Sequence, residues 1–171
     1  AGGTNEIIVR QAADGVSRKG HLTTVITNFE IRMVIGLVRN LGHGIHIGGG
    51  SGNLVQGNYI GTNAAGDADL GNTGDGVETA GCFGNTIGGT ELDAGNVISG
   101  NGLNGIDLGL AQSSGNVIVG NHIGTDISGS IAIPNDQGGI SCGADSTTIG
   151  GTTAGEGNLI AGNDDCGIII G

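Results

Sequence analysis

Glu78 and Asp107 are the residues of this chain best placed to do chemistry. Each is the middle residue of a short segment in which glycine precedes a β-branched residue. Five such segments occur: Gly44-Ile45-His46-Ile47, Gly76-Val77-Glu78-Thr79, Gly105-Ile106-Asp107-Leu108, Gly139-Ile140-Ser141-Cys142 and Gly167-Ile168-Ile169-Ile170. In an extended strand alternate residues face opposite sides, so the apolar first and third positions face inward and the middle ones outward. If the segments stack, the outward column reads His46, Glu78, Asp107, Ser141, Ile169. Parallel strands lie about 4.8 Å apart, which brings the two carboxyl groups within roughly 5 to 6 Å. That is the separation at which retaining glycosidases hold their nucleophile and acid/base. Stacked like charges repel, so one carboxyl is expected to keep its proton above its reference pKa, as a general acid must.

The expected roles are Glu78 as acid/base, because its side chain is longer and His46 lies beside it, and Asp107 as nucleophile. Ser141, one coil after Asp107, is placed to hydrogen-bond a sugar hydroxyl. Asp75 precedes the Glu78 strand, and His43 holds the equivalent place one coil earlier, so both are supporting candidates. Two plainer readings compete. Outward residues of a solenoid are ordinarily just solvated, and a pair of stacked carboxylates at Glu78 and Asp107 also suits a weak Ca²⁺ site, the one cofactor the residues suggest.

The elements that must position these residues follow from the spacing. Successive anchor glycines are 32, 29, 34 and 28 residues apart. Alternate anchors repeat more evenly, so the unit is one long and one short coil. Such self-similarity marks a solenoid. The 40 glycines come with a single proline and no collagen-like period, so they mark turns rather than disorder. Many precede asparagine, as in Gly52-Asn53, Gly57-Asn58, Gly95-Asn96, Gly115-Asn116, Gly120-Asn121 and Gly157-Asn158. Both types suit tight corners, and stacked asparagines can hydrogen-bond along the axis. Long coils carry Ile60-Gly61-Thr62 and Ile123-Gly124-Thr125 before a loop of about a dozen residues; short coils carry Thr86-Ile87-Gly88-Gly89-Thr90 and Thr148-Ile149-Gly150-Gly151-Thr152. Spacing leaves open which of these pairs and segments stack on one another.

A chain of 171 residues is one domain's worth. Residues 1–43 fit the repeat poorly and read as an N-terminal cap or degenerate first coils, strand-prone at Glu6–Val9, Leu22–Thr27 and Ile31–Val38, with a capping helix over roughly Asn5–Ala13 as the alternative. Residues 44–171 form the regular repeats. The first segment holds all five cations; from Gly44 onward there are 13 acids (16 in the chain less Glu6, Asp14 and Glu30) and no Lys or Arg. Nucleic acid and other polyanions are therefore poor partners. No apolar run is long enough to span a bilayer. Cys82, Cys142 and Cys166 lack metal-ligand spacing and read as free thiols. With Phe29, Tyr59 and Phe83 as the only aromatic residues, a dedicated sugar-stacking surface is disfavoured.

The combination of Gly-Asn-x-Ile-x-Gly-Asn, Ile-Gly-Gly-Thr and Gly-Ile-x-Ile over about residues 36–171 resembles the right-handed parallel β-helix repeats of the pectin-lyase-like superfamily, particularly those of large bacterial secreted or surface proteins. The resemblance implies an all-β right-handed parallel β-helix, here of about five regular coils, with the cap at its N-terminus. It implies a secreted or cell-surface location. Superfamily members include polysaccharide lyases, hydrolases, carbohydrate-binding modules and inert stalks, so fold analogy does not select an activity. Gly42-His43-Gly44 and Asp164-Asp165 resemble polygalacturonase elements, but their order is reversed and the accompanying motifs are missing. Two expectations remain: a glycoside hydrolase on a neutral glycan through Glu78 and Asp107, and a noncatalytic structural or adhesive stalk that self-associates end to end.

Overall fold

A computed structural model describes residues 5–6, 29–32, 35–48, 50–109 and 113–171. Over these residues the chain winds through three short strands per coil. After β1 (Asn5–Glu6), the first winding comprises β2 (Phe29–Arg32), β3 (Ile35–Leu37) and β4 (Ile45–Gly48). The second is β5 (Leu54–Gln56), β6 (Tyr59–Ile60) and β7 (Val77–Ala80); the third is β8 (Thr86–Gly88), β9 (Val97–Ile98) and β10 (Ile106–Leu108). The fourth is β11 (Val117–Val119), β12 (His122–Ile123) and β13 (Ile140–Cys142), and the last is β14 (Thr148–Ile149), β15 (Leu159–Ile160) and β16 (Ile168–Ile170).

Equivalent strands stack in parallel into three sheets, with orders β1-β2-β5-β8-β11-β14, β3-β6-β9-β12-β15 and β4-β7-β10-β13-β16. The fold is a parallel β-solenoid, all-β among the described residues. The expected count of about five coils needs a small correction. The five anchors are five rungs of one sheet, and five rungs enclose four full turns, so the solenoid runs for about four. Residues 29–32 and 35–37 ladder onto the regular windings through β2 with β5 and β3 with β6. Asn5–Glu6 is extended and pairs with Phe29–Glu30. The rest of the expected cap, including the helix alternative beyond Glu6, falls largely on residues 1–4 and 7–28, outside the described residues.

The interior is filled by columns of like residues, one from each coil. Val55, Ile87 and Ile118 stack on one side, and Ile60, Ile98 and Ile123 on the second, all fully buried. The third side contributes Ile45, Val77, Ile106 and Ile140. Each fully buried Ile or Val contributes about 1.5–3 kcal/mol, and this core is the main source of stability.

Asparagine ladders close the three corners. Between the first and second strands, Asn58, Asn96, Asn121 and Asn158 pass Nδ2 to Oδ1 at 2.9, 2.8 and 2.9 Å. Between the second and third, Asn40, Asn72, Asn101, Asn135 and Asn163 do so at 2.7, 2.8, 2.9 and 2.8 Å. Where each coil passes to the next, Asn53, Asn85 and Asn116 continue at 2.7 and 3.0 Å. An Oδ1 in a ladder also accepts the backbone N–H of the asparagine one coil earlier, as Asn121 does for Asn96. The second Nδ2 hydrogen goes to a backbone carbonyl, as from Asn121 to Ile87. Corner backbone that would otherwise be buried without partners is thereby satisfied.

The ladders settle the register that spacing left open. Gly57-Asn58 stacks on Gly95-Asn96, and Leu54-Val55 on Thr86-Ile87, so Ile-Gly-Gly-Thr of a short coil is a first strand rather than a counterpart of Ile60-Gly61-Thr62. Long coils bulge after the second strand, where Thr62 pairs with Asp69 and Thr125 with Ala132 in antiparallel bridges. Short coils bulge one corner earlier, around Gly89–Ala94.

Candidate active site

The third sheet carries the outward column in the expected register. His46 is paired with Glu78, Glu78 with Asp107, Asp107 with Ser141, and Ser141 with Ile169. Their strand neighbours face the core: Val77 and Thr79 flank Glu78, and Ile106 and Leu108 flank Asp107, all fully buried. Alternation of apolar and polar residues thus fixes the direction of both carboxylates.

A second outward column runs beside the first, one residue before each anchor glycine: His43, Asp75, Asn104, Gly138. It is tied by hydrogen bonds from each backbone N–H to the side chain one coil earlier. Asp75 N–H donates to His43 Nδ1 at 3.1 Å, Asn104 N–H to Asp75 Oδ1 at 2.8 Å, and Gly138 N–H to Asn104 Oδ1 at 3.2 Å. Asn104 Nδ2 adds a bond to Asp75 Oδ1 at 3.0 Å.

The two columns meet at Glu78. His46 Nδ1 lies 2.5 Å from Glu78 Oε2, and His43 Nε2 lies 3.1 Å from the same oxygen. Two imidazoles therefore fix the orientation of the carboxylate through Oε2, while Oε1 takes part in neither contact. His43 Nδ1 also lies 3.1 Å from Asp75 Oδ2. Unprotonated, this nitrogen accepts the Asp75 N–H; protonated, it donates to the carboxylate. With Nδ1 unprotonated, the neutral ring carries its hydrogen on Nε2, which faces Glu78. The Asp75 side chain is only 5% exposed, against 25% for that of Glu78, and its oxygens are taken up by His43 and Asn104.

Asp107 differs from Glu78. Burial pushes its carboxyl above the usual carboxylate range against the pull of the Ser141 hydroxyl; the negative charges of Asp75 and Glu78 push it the same way, and His43 opposes them. Asp107 and Ser141 also line a shallow depression of about 260 Å³ with Leu108, Cys142 and Ile169 on its walls. Burial thus raises the Asp107 carboxyl, and the two imidazoles grip Glu78.

All six residues singled out from the sequence, His43, His46, Asp75, Glu78, Asp107 and Ser141, lie on this one face. Asn104 was missed, although its position before Gly105 matches those of His43 before Gly44 and Asp75 before Gly76. Among the described residues, no group of three or more His, Cys, Asp or Glu side chains is arranged to hold a metal ion, so Glu78 and Asp107 gain no third such ligand for Ca²⁺. Cys82, Cys142 and Cys166 are free thiols, and burial pushes that of Cys82 up. No helix among the described residues is long and apolar enough to cross a membrane. Comparison with family models, with curated proteins and with solved structures gives no match.

Proposed function

We propose that this β-solenoid is a glycoside hydrolase of retaining type acting on a neutral glycan, with Asp107 as acid/base and Glu78 as nucleophile. The observation that carries the reading is the pairing of Glu78 with Asp107 on adjacent parallel rungs, where a spacing of about 4.8 Å matches the carboxyl separation of retaining enzymes. Asp107, protonated, gives its proton to the glycosidic oxygen as Glu78 Oε1 attacks the anomeric carbon. The bond to the leaving group breaks, an alcohol departs, and a glycosyl ester forms on Glu78. The Asp107 carboxylate then takes a proton from water, whose oxygen displaces Glu78 from the anomeric carbon and restores both groups. His43 and His46 keep Glu78 turned outward through Oε2. A neutral substrate fits a face with no Lys or Arg from residue 44 onward. The reading includes membership of the pectin-lyase-like superfamily and a secreted or cell-surface location, both resting on the repeat motifs.

Chromogenic glycosides test the assignment. Glu78→Gln is expected to lower turnover at least about 10²-fold with every leaving group. Asp107→Asn is expected to do so with a poor leaving group but far less with a nitrophenolate, which departs without protonation. Because the raised carboxyl of Asp107 must be protonated for the first step, kcat/KM should fall as pH rises through its pKa. The same shift means that ionising Asp107 opposes folding: its contribution to stability is present at low pH and is lost as pH rises through the folded value. The melting midpoint of Asp107→Asn should therefore hold or rise at neutral pH. Unchanged turnover in both variants would end the catalytic reading.

One observation favours the second reading, a noncatalytic stalk. Ile168 and Ile170 occupy inward column positions yet are 43% and 79% exposed, so β16 offers an apolar rung on which a second copy would stack. A stalk would turn over no glycoside and would sediment as a concentration-dependent assembly.

A further inference from the structure

The geometry points to Gly48 as a positioning residue of the carboxylate site: we propose that its missing side chain is the space in which the His46 ring lies when Nδ1 meets Glu78. His46 and Gly48 are two apart on β4 and share its outward face. A Cβ at Gly48 would stand 2.8 Å from His46 Nε2, 3.4 Å from Cδ2 and 3.8 Å from Cε1. The first distance is below any ordinary contact, and the ring is held from its other side by the 2.5 Å contact of Nδ1 with Glu78 Oε2. A methyl group at 48 would therefore turn the ring away and break that contact.

Two observations exclude the usual backbone reasons for glycine here. Gly48 does not have the left-handed φ that Gly88 or Gly100 has, so its conformation is open to alanine. One coil later its register partner is Ala80, which is exposed, so the sheet accepts a methyl group in this column. What distinguishes position 48 from position 80 is the outward neighbour two residues before it, an imidazole rather than the Glu78 side chain. Gly48 acts through His46 and is expected to touch no substrate.

The proposal rests on the hydrolase reading only for its activity arm, and the test separates the two. In the full chain with labelled histidine, the His46 Nδ1–H resonance is identified by its loss in His46→Ala. Gly48→Ala should remove the same resonance and leave in place that of His122, whose Nδ1 lies 3.3 Å from the Asp126 carbonyl oxygen. In a double-mutant cycle Gly48→Ala should lower the melting midpoint in the wild-type background and hold or raise it in the His46→Ala background. Persistence of the His46 resonance, or equal destabilisation in both backgrounds, would overturn the proposal. Should Gly48→Ala alone fail to fold, a folded double variant supports the ring clash and an unfolded one refutes it. With a chromogenic glycoside, Gly48→Ala should lose about 10²-fold in kcat/KM, the scale of a misplaced catalytic group. A wild-type protein that turns over no glycoside would remove the hydrolase reading while leaving the resonance and the cycle to decide on Gly48.

Discussion

The corners and the third face of the solenoid use the same rung-on-rung stacking for opposite ends. At the corner between the second and third strands, asparagine repeats through Asn72, Asn101 and Asn135, each buried and each donating to the next. On the face, the column changes at every rung, from His46 through Glu78 and Asp107 to Ser141. The corner contains neutral side chains whose donors and acceptors complement one another. The face sets two carboxylates side by side, a pairing that opposes folding. Repetition serves the scaffold, and departure from it marks the place where the chain tolerates a loss of stability.

Breaking a corner should have the largest effect on stability. Asn121 Oδ1 accepts both the backbone N–H and Nδ2 of Asn96, at 3.1 and 2.8 Å. Asn121→Ala leaves the Asn96 N–H and one Nδ2 hydrogen buried and unpaired, the other staying with the Val55 carbonyl, which should lower unfolding free energy by about 2–4 kcal/mol in denaturant titration. No comparable loss is expected for Glu78→Gln or Asp107→Asn, and that contrast is the sharpest check on the division between scaffold and site.

The next effect runs the other way. The ladder that ends at Asn116 leaves its Nδ2 buried without a partner, because the residue one coil later, before Thr148, is Thr147 rather than asparagine. Thr147→Asn supplies an Oδ1 in register and should raise stability by about 1 kcal/mol. An unchanged melting midpoint would show that the fourth winding cannot carry the ladder further.

The smallest effect concerns a single loop. Asp126 accepts bonds from the Ser128 hydroxyl at 2.5 Å and from the Ser130 and Ile131 N–H groups at 2.8 Å each. The Ser128 hydroxyl and these N–H groups lower its carboxyl to about 2. With an unfolded value of about 3.9, its contribution is complete above pH 4 and is lost as pH falls through 2. Protection of the Ser130 and Ile131 amides, relative to their intrinsic exchange at each pH, should fall over that window, while that of Asn121 holds.

Much of this was legible because the signals were local. Gly-Ile-x-Ile set the anchor register, and that register put Glu78 opposite Asp107. The Gly-Asn pairs pointed to stacked corners, but their partners were hidden, since long and short coils lodge their extra residues at different corners and only three-dimensional closure decides which pairs align. The surroundings of the two carboxyls were not legible either. Side-chain length favoured Glu78 as the acid, but burial raises the Asp107 carboxyl and the Ser141 hydroxyl, a full coil away, lowers it, and neither influence can be read from the Asp107 segment alone. Gly48 illustrates the same limit: nothing in composition marks it, among 40 glycines, as a position whose absent Cβ makes room for the His46 ring.

The ladders also give the molecule a direction. In each, the donors belong to the earlier coil and the accepting oxygen to the later one, as from Asn58 to Asn96 and from Asn96 to Asn121. A polypeptide emerging from the ribosome with its N-terminus first therefore exposes, at its growing end, N–H groups waiting for an oxygen. Each newly made asparagine supplies the oxygen for two of them at once and sets out the next pair, so every layer is chemically complete only on its earlier side.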